Sequence, residues 1–322
     1  MKTIRSLALV TAFAATSALA QQYPTRNITM LVPYAAGGPT DTVARVVAQR
    51  MSTSLGQTVV VENKPSAGGI LAPEQVKNSK ADGYTILIHH VGMATTPALY
   101  RKLRFNPLTD FDYIGLINDV PMTLVGKQNL PAKDFKELRG YIQQNKDKIS
   151  LANAGIGAAS HLCGMLFMSA IQTDLLTVPY KGTGPAMNDL MGGQVDLMCD
   201  QTTNTTSQIK SGKIKVFGVT STKRVPSLPD VPTLDEQGLK GFEVGIWHAL
   251  YGPKGMPKPV TDKLVAALQD TVKDEAVKKR FADLGATTYP PEKATPAALQ
   301  AHLKSEIDKW GPLIKKAGVY AD

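Results

Sequence analysis

The sequence predicts an α/β protein with two lobes. Short apolar runs alternate with segments whose apolar residues recur at helical spacing, which is the rhythm of a parallel sheet covered by helices. The second half of the chain repeats the order of the first: strand, glycine turn, helix. The chain has 322 residues, 43% of them hydrophobic, so it can bury a core large enough for two lobes.

The first 20 residues are typical of a secretory signal peptide. Lys2 and Arg5 precede an apolar run over 7–14, and a small-x-small cleavage site follows at residues 18–20. The apolar run is too short to span a bilayer, which argues against a membrane anchor. We therefore predict an exported, periplasmic protein that begins at or near Gln21.

Composition excludes several kinds of partner. The formal charge is +9, but the basic residues form no cluster with interleaved aromatics, so we expect no nucleic acid to bind. A mildly positive field would favour capture of small anions. The sequence contains no C-x-x-C or H-E-x-x-H spacing, so we predict neither a metal nor another cofactor. Cys163 and Cys199 could pair in an oxidising compartment, but we interpret them as two buried free thiols.

The alternating pattern predicts the elements in order. In the first lobe we expect strands at 28–32, 58–62 and 84–89, then two strands at 113–117 and 122–125. Asp119 to Pro121, between these last two, is a candidate crossing between lobes. The later strands are predicted at 149–153, 175–178, 194–200, 215–219 and 244–251. A proline-rich linker is expected at 225–232, and helices at 260–272, 274–284 and 296–317, the last kinked or restarted at Gly311-Pro312.

Two glycine turns lie where a strand passes into a helix. The first is Gly37-Gly38, followed by Thr40 as a candidate N-cap, and the second runs from Ala154 to Ala159 before Ser160. A helix N-terminus offers free N–H groups and a positive dipole end, so it attracts anions. One such turn would be an ordinary strand-to-helix connection. Two of them, with a crossing between, predict a ligand cleft, although neither has the spacing of a nucleotide-binding loop.

The polar residues near these turns predict binding rather than catalysis. Ser160 and His161 are neighbours on a helix and point to different faces, and the sequence has no G-x-S-x-G motif, so we assign no catalytic residue. We interpret His90 and His161 as donors to a polar guest. If protonated, they would strengthen the binding of a second carboxylate near pH 6 relative to pH 8. His302 is expected on a solvated helix surface.

Three further side chains have two interpretations each. Asp41 lies in the first turn of a helix, where the dipole favours an acid, and could orient a water or a backbone N–H. Asp200, at a strand end, has the same ambiguity. Trp247 could stack on a ligand or fill the hinge between lobes.

Many ordered motifs resemble those of the Bug-type solute-binding receptors, the periplasmic components of tripartite tricarboxylate transporters. The first is Val32-Pro-Tyr-Ala-Ala-Gly-Gly-Pro-Thr-Asp41, and the others occupy 60–65, 67–69, 82–84, 161–164, 178–182, 185–190, 192–195, 228–233 and 310–311. The resemblance covers essentially the whole mature chain. Departures are Met165, Cys199 and the pair His89-His90, where the family often has glutamate, phenylalanine and smaller residues.

The resemblance implies a type II periplasmic-binding-protein fold with two α/β lobes and two crossings. We divide the chain into a signal peptide (1–20), lobe 1 (21–120), lobe 2 (121–224), and a return to lobe 1 with C-terminal helices (225–322). It also implies a small organic carboxylate (di-, tri- or aromatic) held by backbone N–H groups and ordered waters. Together with Trp247, the predicted ligand-binding residues are Tyr34, Ala36, Gly37, Gly38, Thr40, Asp41, His90, Gly92, Asn153, Gly155, Gly157, Ser160, His161, Tyr180, Lys181 and Asp200.

We therefore predict a monomeric, non-enzymatic receptor that delivers a carboxylate to the membrane components of such a transporter. Two alternatives stay open at this point. One is a secreted enzyme acting on a small carboxylate through Asp41, His161 or Asp200. The other is a ligand sensor for a signalling partner.

Overall fold

The computed structural model describes residues 23–318 and 320–321, so the predicted signal peptide lies outside the described residues. The described part forms the predicted α/β protein with a mixed sheet. Its strands are β1 (Ile28–Val32), β2 (Val59–Asn63), β3 (Thr85–His90), β4 (Phe111–Lys127), β5 (Ser150–Asn153), β6 (Leu176–Pro179), β7 (Leu197–Gln201), β8 (Ile214–Val219), β9 (Gly245–Pro253) and β10 (Thr287–Thr288).

Helices cover both groups of strands, as the sequence predicts. They are α1 (Pro39–Leu55), α2 (Leu71–Lys77), α3 (Gly92–Leu99), α4 (Phe135–Asn145), α5 (Ala159–Ile171), α6 (Thr183–Met191), α7 (Thr202–Lys210), α8 (Lys258–Lys273), α9 (Glu275–Asp283) and α10 (Pro296–Ala317). Helix α10 continues through Gly311 and Pro312 without the predicted restart. Within the described residues, no helix is both long and apolar enough to cross a membrane.

The strand order is β2-β1-β3-β9-β4-β7-β5-β6, with β8 and β10 also paired to β4. In the first lobe β1 pairs in parallel with β2 and β3, and β9 runs antiparallel to β3 and β4. In the second lobe β5 pairs in parallel with β6 and β7. Parallel strands covered on both faces by helices explain why these segments are apolar throughout rather than alternating.

Strand β4 connects the two lobes. The sequence predicts two strands here, and that prediction is wrong, because one strand of 17 residues runs through the crossing. Its first part pairs with β9 as far as Pro121, and from Met122 it pairs with β7. The exchange of partner, rather than a break in the chain, marks the passage between lobes.

The segment after β8 stays against the second lobe. The N–H of Val219 donates to the carbonyl of Pro232 (3.0 Å) and the N–H of Leu234 donates to the carbonyl of Val219 (2.9 Å). Val225 and Leu228 also pack in one cluster with Val219. The return to the first lobe is β9, so the boundary predicted at residue 224 comes too early.

Cys163 and Cys199 form a disulfide, with their Cα atoms 6.0 Å apart. The interpretation as free thiols is wrong. Helix α5 lies directly on β7, so two buried side chains, one from each element, face each other. The two cysteines are 36 positions apart in the sequence, and the sequence alone does not show that α5 packs on β7.

Candidate functional site

The two lobes meet at a small cavity beside the carboxyl ends of β1, β3, β5 and β7, where ligands bind in open α/β sheets. Its free volume is about 20 Å³, which is room for about one water molecule. The lobes are therefore closed on each other. The cavity is lined by Tyr34, Gly38, Pro39, Thr40, His90, Ala154, Ala158, Ala159, Ser160, Thr183, Asp200 and Gln201.

Four helices begin at the wall of this cavity. Helices α1, α5 and α6 begin at the lining residues Pro39, Ala159 and Thr183, and Gln201 is the N-cap of α7. None of the four has a side-chain cap hydrogen bond. Away from the cavity, α4, α9 and α10 are capped by Asp or Thr side chains, whereas α2, α3 and α8 are also uncapped. The first-turn N–H groups of the four cavity helices are thus left for another acceptor.

The loop between β1 and α1 is held by Asp41. Gly37 has φ +81°, a left-handed conformation that suits glycine, and its N–H donates to the Asp41 carboxylate (3.0 Å). The N-cap of α1 is Gly38 rather than the predicted Thr40. Thr40 lies inside the first turn of α1, and its hydroxyl is 3.4 Å from Nε2 of the buried His248.

Asp41 is engaged on both carboxylate oxygens. Arg45 donates to each of them at 3.0 Å, and Asn63 Nδ2 donates to Oδ1 at 3.0 Å. Burial acts to raise the pKa of Asp41, but the hydrogen bonds from Arg45, Gly37 and Asn63 outweigh it and lower that pKa. Asp41 therefore stays ionised and positions the loop, in agreement with the interpretation that it orients a backbone N–H.

His90 is the histidine on the cavity wall. Its Nδ1 accepts the N–H of Gly92 (2.9 Å), so in the neutral ring the proton resides on Nε2 and can be donated. Tyr34 stacks on the ring, with centroids 5.0 Å apart. Burial, together with the neighbouring His89 and His248, holds the pKa of His90 well below its usual value. His90 is thus a neutral donor.

His89 and His248 support this arrangement from behind. His248 Nδ1 lies 3.0 Å from Asn118 Oδ1, and His89 Nδ1 accepts the N–H of His90 (2.8 Å). Burial lowers the pKa of His89 to about 4 and that of His248 to about 3. The three adjacent rings are compatible with one another because none of them is protonated at neutral pH.

The loop after β5 is braced by its own polar side chains. Asn153 Oδ1 accepts the N–H of Gly155 (2.8 Å), and Ser160 Oγ accepts the N–H of Ala154 (2.9 Å). His161 Nδ1 lies 3.5 Å from the N–H of Gly157. His161 is not on the cavity wall, and burial lowers its pKa to about 4. The stronger binding expected near pH 6 if His90 and His161 were protonated therefore does not apply, because burial lowers the pKa of both rings.

Asp200 is the acidic residue of the cavity. It is the penultimate residue of β7 and is 1% exposed. Its carboxylate accepts from Asn204 Nδ2 (2.6 Å), and also from the backbone of Gln201 and the side chain of Thr183. Burial raises the pKa of Asp200 to about 6, although these three hydrogen bonds act in the opposite direction.

Of the 17 predicted ligand-binding residues, the structure places six on the cavity wall: Tyr34, Gly38, Thr40, His90, Ser160 and Asp200. Most of the others brace the loops, and three of those not yet described make contacts of their own. The backbone carbonyl of Lys181 accepts the N–H of Ala35 from the other lobe (3.0 Å), and the hydroxyl of Tyr180 donates to the carboxylate of Asp189 (2.6 Å). Ala36 lies at the contact between lobes, beside Gly184.

Trp247 does not line the cavity. It is 2% exposed, and its indole N–H donates to Glu306 on α10 (3.1 Å). Its ring centroid lies 4.8 Å from that of His302, so the prediction of a solvated His302 is wrong. Trp247 pairs with Asp119 at the crossing between lobes, a position that fits the hinge-filling interpretation.

The list of predicted ligand-binding residues omits six lining residues, although the first four lie in or beside the two predicted glycine turns: Pro39, Ala154, Ala158, Ala159, Thr183 and Gln201. The signal that could have found them is position, since each follows a strand directly or begins the next helix. Thr183 follows the loop after β6, and Gln201 follows Asp200. Among the described residues, no group of three or more His, Cys, Asp or Glu could hold a metal ion.

Comparisons with known proteins agree with this geometry. The family model described as "Tripartite tricarboxylate transporter family receptor" matches residues 43–319. The chain belongs to this receptor family. A UPF0065 protein of Agrobacterium vitis is 49% identical over 296 residues, covering 92% of this chain and 86% of the relative.

Two solved structures share the fold of this receptor over nearly their whole length. The periplasmic binding protein BugD is 57% identical, with a TM-score of 0.90, covering 92% of this chain and 99% of BugD. MatC from Rhodopseudomonas palustris, solved with bound malate, is 38% identical, with a TM-score of 0.87, covering 91% of this chain and 100% of MatC. The receptor therefore has the predicted periplasmic-binding-protein fold, and it is a member of a solute-binding family.

Proposed function

We propose that this receptor captures a small organic carboxylate between its two lobes in the periplasm and delivers it to the membrane components of a tripartite tricarboxylate transporter. The observation that supports this most strongly is the convergence of four uncapped helix N-termini on one closed cavity. Their free N–H groups and positive dipole ends suit a carboxylate group. Malate in the related MatC is a ligand of this chemistry.

Neutral groups rather than cations would hold the ligand. The cavity wall contains no lysine or arginine, so backbone N–H groups and the Nε2–H of His90 are the donors. Hydrogen bonds to a charged group are worth roughly 1.5–3 kcal/mol each, so about three to six of them supply the roughly 8 kcal/mol of micromolar affinity. A free volume of about one water is smaller than a dicarboxylate, so the lobes separate to admit the ligand and close around it.

Binding alone is proposed, with release of an unchanged ligand. Asp41 is fully engaged with Arg45, Asn63 and Gly37, and His161 lies off the cavity wall, so neither forms a reactive pair with Asp200 there. We also propose that residues 1–20 are removed on export and that the mature receptor acts as a monomer.

Isothermal titration of the mature protein against mono-, di-, tri- and aromatic carboxylates tests the proposal. We expect at least one to bind with a dissociation constant in the micromolar range or below, and to raise the thermal unfolding midpoint. Absence of heat and of a thermal shift for every member of the panel would refute it. Amino-terminal sequencing of the protein from a periplasmic extract tests cleavage near Gln21, and light scattering tests the monomer.

A further inference from the structure

The end of β7 presents acceptors to a cavity otherwise surrounded by donors. Asp200 and Gln201 both line the cavity and are 1% and 2% exposed. The Oε1 atom of Gln201 is buried and has no hydrogen-bond partner within the part of the chain that the structure describes. A buried acceptor without a donor is costly, and such groups in native proteins call for a physical explanation.

Asp200 adds a negative charge beside this orphan oxygen. Its carboxylate accepts from Asn204, Thr183 and the backbone of Gln201, but it forms no ion pair with any described residue. A carboxylate can accept about four hydrogen bonds, so the Asp200 carboxylate has room for one more donor. A second anion placed there would be repelled, whereas a donor would be attracted.

We infer that Asp200 and Gln201 form an acceptor subsite, which selects carboxylates that carry a hydroxyl or ammonium group on the same small skeleton. The inference rests on the proposed function, in which the helix N-termini hold the carboxylate. The same ligand would then satisfy both walls: its carboxylate meets the free N–H groups, and its hydroxyl or ammonium meets Oε1 of Gln201 and the Asp200 carboxylate. A plain carboxylate leaves both acceptors unsatisfied.

Matched ligands test this directly. Titration calorimetry at pH 7.5 compares succinate, malate and aspartate, which differ only in having a hydrogen, hydroxyl or ammonium at one carbon. The five-carbon series glutarate, 2-hydroxyglutarate and glutamate and the three-carbon series propionate, lactate and alanine are measured in parallel. We expect the donor-bearing ligands of the series that fits to bind at least tenfold more tightly than the plain acid.

Two variants separate the acceptors. Gln201→Leu removes the orphan oxygen and should shrink the ratio between the affinities of the donor-bearing and the plain acid at least fivefold. Asp200→Asn removes the charge and should weaken the ammonium ligand more than the hydroxyl ligand. Gln208→Leu, on α7 but away from the cavity, is the control and should change none of the constants. Circular dichroism and the unfolding midpoint verify that each variant folds.

The outcomes are distinguishable. Equal binding of plain and donor-bearing acids by the wild type overturns the acceptor subsite while the proposed function stands. A preference that persists in both variants also overturns it, because groups other than Asp200 and Gln201 then bind the hydroxyl or ammonium of the ligand. If no carboxylate of any series binds, this inference fails, and the proposed function then depends on the tri- and aromatic carboxylates of the wider panel.

Discussion

Gly184, in the second lobe, lies directly against the carbonyl oxygen of Ala36, in the first. A Cβ added to Gly184 would lie 2.6 Å from that oxygen and 3.0 Å from the backbone of Gly37. Gly184 is in the first turn of α6 and has no left-handed backbone. Its lack of a side chain therefore serves the approach of the two lobes rather than a special conformation.

Gly184→Ala should prevent full closure while both lobes fold normally. Because the added methyl group meets backbone, which cannot rotate away, we expect all carboxylates to bind at least tenfold more weakly. The dissociation rate should account for most of the change. Small-angle scattering with saturating ligand should show a larger radius of gyration than for the wild type.

Gly140→Ala provides the matched control for this change. A Cβ at Gly140, on α4, would meet nothing within 4 Å, and the alanine should slightly favour the helix. Affinities equal to those of the wild type are expected for this variant. Unchanged affinities for Gly184→Ala as well would show that the lobes do not need this contact to hold a ligand.

The disulfide should contribute to stability and not to binding. Cys163 and Cys199 are 36 positions apart in sequence, and closing a loop of that length stabilises a protein by about 3–4 kcal/mol through the unfolded state. The double variant Cys163→Ala, Cys199→Ala should lower the free energy of unfolding by up to about that amount. Chemical denaturation with and without reductant measures this. An oxidised wild type no more stable than the double variant would contradict it.

The buried histidines predict a loss of stability in acid. His89, His161 and His248 have folded-state pKa values of about 4, 4 and 3, below the value of about 6.5 for an unfolded chain. Between pH 6.5 and about 4 the unfolded state therefore binds more protons, and stability falls as the pH falls. Each histidine contributes at most about 1.4 kcal/mol per pH unit. Asp200, with its raised pKa of about 6, and Asp119, whose pKa burial also raises, act in the opposite direction but are fewer than the histidines.

Denaturation midpoints measured from pH 7.5 to 4.5 test this prediction. His161→Gln should reduce the slope of the free energy of unfolding against pH without altering ligand affinity, because His161 lies off the cavity wall. Protonation of His90 should not strengthen ligand binding between pH 8 and pH 6.5, since His90 stays neutral throughout. A slope identical in wild type and variant would show that the pKa of His161 is the same in the folded and the unfolded protein.

Local patterns predicted most elements, but contacts between distant residues required the structure. Apolar runs located the strands because parallel strands buried on both faces have few polar positions. The continuity of β4 was missed because it depends on β9, more than a hundred residues later, pairing with it up to Pro121. The disulfide was missed for the same reason, since only the packing of α5 on β7 brings Cys163 to Cys199.

The site was predicted at the level of loops and less well at the level of side chains. Gly38 and His90 were found because glycine turns and strand ends are visible in sequence. His161 was placed at the ligand from its position after a glycine turn, and Trp247 as one of two interpretations, yet their directions depend on Gly157 and Glu306. The charge states of the histidines could not be predicted from the sequence either. Burial keeps these histidines neutral, and burial is a property of the folded chain.

The last prediction concerns a contact that holds the lobes closed outside the cavity. The Thr95 hydroxyl, on α3 of the first lobe, donates to the carbonyl of Gly157 in the second lobe (3.1 Å). The neighbouring Thr96 is equally buried, but its hydroxyl has no partner among the described residues. The Thr95 hydroxyl also lies 3.3 Å from the carbonyl of Gly92 within the same helix, so the two threonines form a matched pair that differs in whether the hydroxyl has acceptors.

Thr95→Val should lower the affinity for every ligand by about fivefold, because a neutral hydrogen bond present only in the closed state is worth about 1 kcal/mol. The ranking of ligands should not change, since Thr95 does not line the cavity. Thr96→Val removes a buried hydroxyl without a partner, so it should leave affinity unchanged and stability unchanged or increased. Stopped-flow dissociation rates for both variants decide the matter: a faster rate in Thr96→Val than in Thr95→Val would mean that α3 acts through its packing and not through the bond to Gly157.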